Sequence, residues 1–145
     1  MKKLLAIAAV LTIVSGLPIG TVSAASQVKH PQGCKTVSYV AVGSYYSQGR
    51  AYKLTNDTLT IQATWCYANN QITSDKVSYA TTIPAKNNLR LTKTALVNKA
   101  KTSLVITVNG SFNSGILNNT GMISAAGTVT SNGTSSFSTL SGNGG

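Results

Sequence analysis

Residues 58–67 alternate strictly between apolar and polar side chains, and this alternation constrains the fold more than any other feature of the sequence. The odd-numbered positions hold Leu59, Ile61, Ala63, Trp65 and Tyr67, and the even-numbered positions hold three threonines, a glutamine and a cysteine. Successive side chains of a β-strand point to opposite faces, so a period of two predicts a half-buried strand. We expect its odd-numbered face to be buried and its even-numbered face to meet water.

Weaker stretches of the same period cover most of the remaining chain. The candidate strands are residues 35–42, 44–54, 76–83, 102–108, 121–130 and 137–140. They are separated by pairs of turn-forming residues, namely Asn-Asp at 56–57, Asn-Asn at 69–70, 87–88 and 118–119, and Asn-Gly at 109–110 and 132–133. Such spacing predicts an all-β fold, an antiparallel β-sandwich or barrel, built as one domain over residues 26–140.

Residues 92–101 admit two interpretations. Apolar residues continue the period of two from Leu89 and Leu91, which indicates a strand. Alanine, leucine and lysine are also good helix formers, so one short helix near residues 94–101 is equally consistent with the composition. If the segment is a strand, Lys93 falls on the same face as Leu91, and a lysine on an apolar face marks an edge or an end.

The N-terminal segment has the three parts of a secretory signal peptide. Two lysines follow Met1, an apolar stretch runs from residue 4 to 14, and small residues surround Ala24 and Ala25. This pattern predicts a signal peptide over residues 1–25, with cleavage after Ala24 or Ala25, and therefore secretion. At the other end, the glycine-rich residues 141–145 are expected to form a flexible tail.

Export determines how the cysteines are interpreted. Cys34 and Cys66 are the only two in the chain, and disulfides persist in oxidising compartments. We therefore expect a disulfide between them, which would join the strand that follows Cys34 to the strand that contains Cys66. We expect no metal, because a structural zinc site usually needs four cysteine or histidine ligands.

The side chains that most enzymes use to move protons are scarce. His30 is the only histidine, and Asp57 and Asp75 are the only acidic residues. His30 lies close to the expected new N-terminus, and both aspartates lie in sequences typical of turns, which explains them without catalysis. A glycosidase needs two carboxylates and a hydrolytic triad needs a positioned base, so we expect a protein that is not an enzyme and has no cofactor.

Positive charge dominates the chain, with twelve Lys and Arg against two acids and a net charge of +10. A field of one sign attracts polyanions and anionic surfaces, although a basic face can also serve solubility alone. The candidate binding cations form one dense group and a smaller pair, namely Lys86, Arg90, Lys93, Lys99 and Lys101, with Arg50 and Lys53.

Aromatic residues are concentrated between Tyr39 and Tyr79. Those at apolar strand positions are expected to build the core. Tyr45 and Tyr46 are adjacent, so at least one should point outward, and both are candidates for aromatic contact with a partner.

These features predict a secreted, cationic binding domain whose partner is an anionic polymer, an anionic lipid surface or a cell-wall component. One alternative is an antimicrobial or toxin-like effector that acts on membranes or the cell wall. The other alternative is a structural or matrix protein that associates through strand edges. The sequence does not determine the oligomeric state.

Overall fold

The computed structural model describes residues 30–140, which form seven β-strands and one short 3-10 helix, Ala85–Asn87. The strands are β1 Gly33–Ser47, β2 Arg50–Ala68, β3 Gln71–Thr81, β4 Arg90–Val97, β5 Ser103–Asn113, β6 Thr120–Thr130 and β7 Ser135–Thr139. All strand pairs are antiparallel. The predicted all-β antiparallel fold is therefore confirmed.

The strands form one sheet in the order β3-β2-β1-β6-β5-β4, and this sheet curls into a nearly closed barrel. The junction between its halves is short, because β1 pairs with β6 only at Ser44 and Tyr45. Further along β6, the same edge pairs with β7 from Ala125 to Val129. Strand β1 therefore separates from β6 at the point where β7 joins it.

The predicted alternation in β2 is confirmed, since all five odd-numbered residues from Leu59 to Tyr67 are buried. They pack inside the barrel against alternate residues of the opposite strands. The other buried core residues are Ala41, Ile72, Leu104, Ile106, Val108, Phe112, Ile123, Ala125 and Val129, all in strands, and Ile83, which follows β3.

The predicted disulfide is also confirmed. Cys34 of β1 lies directly opposite Cys66 of β2, and their Cα atoms are 4.0 Å apart. The bridge lies on the outer face, whereas the neighbouring Trp65 points inward and donates its indole N–H to the Thr130 carbonyl at 3.0 Å. On this same end of the barrel, Lys35 Nζ donates to the Gly133 carbonyl at 2.8 Å.

Several predicted turns are wrong because their residues lie inside strands. Asn109 and Gly110 continue β5, where they pair with both β4 and β6. Asn56 and Asp57 form a bulge within β2, where the pairing with β1 shifts between Val42 and Gly43. Asp75 pairs with Trp65 in the middle of a ladder. Residues 109–110 and Asp75 gain more from ladder hydrogen bonds than from their local turn preference, whereas Asn56 and Asp57 are bulge residues without ladder partners.

The other turn predictions hold. Asn69 and Asn70 both have left-handed backbone conformations and join β2 to β3, and the 132–133 pair lies in the turn before β7. In the candidate stretch 44–54, Gly49 adopts a φ of 74° and makes the turn of the β1–β2 hairpin.

Residues 90–97 form a strand, and the short helix considered for 94–101 is not formed. Strand β4 pairs with β5 along its whole length and ends at Val97, after which residues 98–102 turn. Lys93 is in register with the buried Val108 and shares the face of Leu91, but its side chain is exposed. Strand β4 is the last strand of the sheet, so the predicted edge position is confirmed.

The predicted signal peptide and the predicted flexible tail lie outside the described residues. Within residues 30–140, no helix has the length and apolarity needed to cross a membrane.

Candidate functional site at the hairpin end

Antiparallel strands give the barrel two ends. We call the end with the β1–β2 hairpin, the 3-10 helix and the loop 114–119 the hairpin end, and the end with Cys34–Cys66 the disulfide end. The sequence cluster of five cations is divided between them by β4. Lys86 and Arg90 precede this strand or begin it, and Lys99 and Lys101 follow it at the disulfide end.

A single line of paired residues on the outer face connects two of the predicted cations of the hairpin end, Lys53 and Arg90. Lys53 of β2 pairs with Ser44 of β1, which pairs with Met122 of β6. Met122 pairs with Ser111 of β5, and Ser111 pairs with Arg90 of β4. Because neighbouring strands lie about 4.8 Å apart, Lys53 and Arg90 are separated by about 19 Å along the sheet.

The remaining cations lie at the same end of the barrel but off this line. Arg50 begins β2 at the tip of the hairpin, opposite Ser47. Lys86 lies in the 3-10 helix. Pro84, just before this helix, and Asn87, at its end, line a shallow hollow together with Lys53. Arg50, Lys53, Lys86 and Arg90 therefore share one end, although the sequence separates them into two groups.

The hairpin end also carries exposed tyrosines. Tyr46 points to the outer face with 41 % of its surface exposed. Tyr45 points to the inner face and stacks on Tyr52, with ring centres 5.2 Å apart. Tyr52 is itself 41 % exposed. Of the two predicted contact residues, Tyr46 is the more exposed, and Tyr45 contributes through this stacked pair.

Three surface hollows lie at the hairpin end. One is polar and is lined by Arg90 together with residues of the 114–119 loop and its flanks. A second contains Lys53, Asp57 and Asn87. The third is apolar, has a volume of about 250 Å³, and lies where β1 separates from β6. Loops and the hairpin thus leave recesses at this end.

The two aspartates are separated. Asp57 lies in the bulge at the hairpin end, and it partly offsets the charge of Lys53 in their shared hollow. Asp75 lies opposite Trp65, eight residues further along β2, a separation of about 27 Å along an extended strand. His30 precedes β1 and therefore lies toward the disulfide end. These three residues do not form one cluster.

Lys93 belongs to neither end. Its Nζ atom lies 4.8 Å from the centre of the Tyr79 ring, so it reaches from edge strand β4 toward edge strand β3. Burial raises the pKa of the Tyr79 hydroxyl above its ordinary value of 10.0. A cation over a ring face is attracted by the electron-rich face of the ring. Lys93 therefore stabilises the contact between the two edge strands β3 and β4, which we call the seam of the barrel.

Sequence reasoning missed two residues. Tyr52 was not singled out, although it and Tyr45 are equally spaced about the two-residue turn Gln48-Gly49, which is a hairpin signal that pairs the two rings. Lys35 was also missed, and no local pattern indicates that its ammonium group reaches a carbonyl 98 residues away.

Within residues 30–140, no group of three or more His, Cys, Asp or Glu side chains is placed to hold a metal ion. No protein-family model, curated protein or solved structure matches the chain.

Proposed function

We propose that the protein is a secreted, non-enzymatic binding domain whose hairpin end holds an extracellular anionic polymer. The observation that carries this proposal is the register line from Lys53 to Arg90, with Arg50 and Lys86 at the same end of the barrel. Cations spaced over about 19 Å suit a repeating chain of negative charges better than one small anion.

The tyrosines and the disulfide support the same proposal. Tyr46 on the outer face of the hairpin and Tyr52 on its inner face each present an exposed ring that can pack on the apolar face of a polymer's repeating unit. Arg50 lies at the hairpin tip, two residues before Tyr52. Arginine forms planar paired hydrogen bonds with carboxylate or phosphate, which gives short-range specificity. The Cys34–Cys66 bridge is compatible with an extracellular location.

The test compares two double variants that lose the same charge. Arg50→Gln with Arg90→Gln removes two cations from the hairpin end, and Lys99→Gln with Lys101→Gln removes two from the disulfide end. Binding to polygalacturonate and to polyphosphate is measured by calorimetry, with uncharged dextran as a control. We expect the hairpin-end variant to bind about tenfold more weakly and the disulfide-end variant to change less than twofold.

Equal losses in the two variants would contradict a site at the hairpin end and leave only a diffuse field. Binding to dextran as strong as binding to polygalacturonate would contradict recognition of charge. Dye leakage from anionic vesicles would instead favour the effector alternative.

Self-association through β4 is a second candidate function, favoured by one observation. This strand ends the sheet, and near its end Leu96 is 69 % exposed beside Val105, which is 45 % exposed. An exposed apolar edge strand is a template for pairing with another chain. Light scattering of the protein and of the Leu96→Lys variant tests this, since the variant should stay monomeric at concentrations where the natural sequence associates.

A further inference from the structure

The apolar hollow at the hairpin end results from the way the sheet divides. Strand β6 is paired with β5 over its full length, so β1 and β7 share its other edge. The residues of β1 that precede Ser44 do not pair with β6. Leu140 follows the end of β7, and its N–H donates to the Ser124 carbonyl at 3.0 Å. A wedge-shaped recess remains between the separating strands on the outer face.

The lining of this recess is mostly carbon, with one charge. Val42, Ala51, Met122 and Leu140 supply apolar surface, and the hydroxyl-bearing residues Ser44, Ser124 and Thr139 lie among them. Lys53 is the only charged residue of the lining. Met122 and Leu140 are 40 % and 42 % exposed, so two large apolar side chains at this recess meet water when it is empty.

The size and charge of the recess limit its occupant. Its volume of about 250 Å³ is slightly below the range of about 300–1,000 Å³ typical of drug-sized ligand sites. A ligand of about ten non-hydrogen atoms is therefore the right size. An apolar body would cover Met122 and Leu140, and a single negative group would complement the Lys53 ammonium.

We propose that this hollow binds a medium-chain carboxylate, with its alkyl chain between Met122 and Leu140 and its carboxylate at Lys53. This site goes beyond the proposed polymer site and does not rest on it, although Lys53 borders both. Ser44 lies opposite Lys53 and lines the same recess, so its hydroxyl is the nearest neutral hydrogen-bonding group to the proposed carboxylate position.

The experiment titrates octanoate into the whole chain labelled with ¹³C at its methionine methyl groups, and Met122→Leu assigns the Met122 signal. We expect a saturable shift of that signal with a Kd of about 1 mM, as expected for roughly ten ligand atoms. Neutral octanamide, which keeps the chain without the charge, should bind about fivefold more weakly.

Variants separate the contributions of the recess. Lys53→Gln should weaken octanoate about fivefold and leave octanamide unchanged, whereas the matched Lys99→Gln variant at the disulfide end should change neither. Ala51→Phe should fill the recess and abolish both shifts, and Ala51→Ser should preserve them. Ala51 is exposed at the strand surface, so this pair tests the recess with little risk to the fold.

A Met122 signal that does not saturate by about 10 mM octanoate, tenfold above the expected Kd, would overturn the proposal. An equal loss in Lys99→Gln and Lys53→Gln would also overturn it. The Arg50→Gln/Arg90→Gln protein should keep its octanoate affinity while its affinity for polygalacturonate falls about tenfold. In the natural sequence, octanoate binding without polygalacturonate binding contradicts only the polymer proposal, and polygalacturonate binding without octanoate binding contradicts only the recess.

Discussion

Gly110 shows how a single residue can be required for packing rather than for a turn. Its position in β5 brings the backbone close to side chains of both neighbouring strands. A Cβ atom at this position would lie 2.5 Å from Leu91 Cδ2 and 2.9 Å from Ile123 Cγ2. Such distances are far inside normal contact, and both neighbours lie on the inner face of the barrel.

Gly110→Ala should therefore lower the free energy of unfolding by about 1–3 kcal/mol, because Leu91 and Ile123 must move to make room. Asn109→Ala, one residue earlier and on the outer face, is the matched control and should change stability by less than about 0.5 kcal/mol. Urea unfolding followed by tryptophan fluorescence measures both. Similar values for the two variants would contradict the packing explanation.

The Tyr79 hydroxyl at the seam makes the free energy of unfolding depend on pH. Burial raises the pKa of its hydroxyl in the folded protein above the ordinary value of 10.0. Above that pH the unfolded chain loses this proton first and so binds fewer protons than the folded chain. Stability from this group is complete below about pH 10 and is lost as pH rises through the folded pKa.

Tyr79→Phe should consequently reduce the fall of unfolding free energy between about pH 9 and pH 11. Tyr46→Phe is the control, because the Tyr46 ring is exposed and lies away from Lys93. Urea unfolding at a series of pH values measures the slopes. An unchanged slope in Tyr79→Phe would show that burial of this hydroxyl does not contribute.

At the scale of elements, the long β1–β2 hairpin connects the two ends of the barrel. It holds the disulfide at one end and the tyrosines at the other, and its bulge at Asn56 and Asp57 separates the two parts. Thr82 fixes this bulge, since its hydroxyl donates to the Asn56 carbonyl at 2.6 Å and accepts the Thr58 N–H at 2.8 Å. The part beyond the bulge carries Arg50 and Lys53.

Replacing both Cys34 and Cys66 by alanine should lower the free energy of unfolding by about 3.7 kcal/mol on the chain-entropy account. The bridged residues are 32 apart in sequence, so the bridge restricts a long loop of the unfolded chain. Urea unfolding of this variant, compared with the oxidised protein, measures the loss. A loss well below about 1 kcal/mol would mean that residual hairpin structure already restricts the unfolded chain without the bridge.

At the scale of the whole molecule, charge is distributed over both ends of the barrel with little compensation. The chain has twelve Lys and Arg against two acids, so every polyanion is attracted from a distance. The proposed specificity therefore depends on the hairpin end, where cations, tyrosines and recesses coincide, and not on the overall charge.

Binding to polygalacturonate should weaken steeply between low and physiological salt, because salt screens exposed charges over about 8–10 Å. The Arg50→Gln/Arg90→Gln protein should show a shallower salt dependence than the Lys99→Gln/Lys101→Gln protein, since it makes fewer ionic contacts. Calorimetry at several salt concentrations measures both slopes. A salt-independent affinity would contradict the ionic mechanism.

Local sequence patterns predicted the structure correctly where the feature depends on a single strand or on a single covalent bond. The alternation in residues 58–67 predicted the buried face of β2, and the two cysteines predicted their bridge. The Asn-Gly pair at 109–110 failed because its turn preference is weak against ladder bonds to two neighbouring strands. The short helix near 94–101 failed for the same reason, since β5 supplies a partner along all of β4.

The sequence by itself determined the strand period, the disulfide and the positive charge, because each depends on residue types or on close neighbours in the chain. Only the tertiary structure decided which cations lie together. Strand β4 begins at Arg90 at the hairpin end and ends at Val97, so Lys99 and Lys101, which follow it, lie at the disulfide end. Pairing among five strands places Arg90 on one line with Lys53. Pairing between distant strands sets that register, and the spacing of residues along the chain does not contain it.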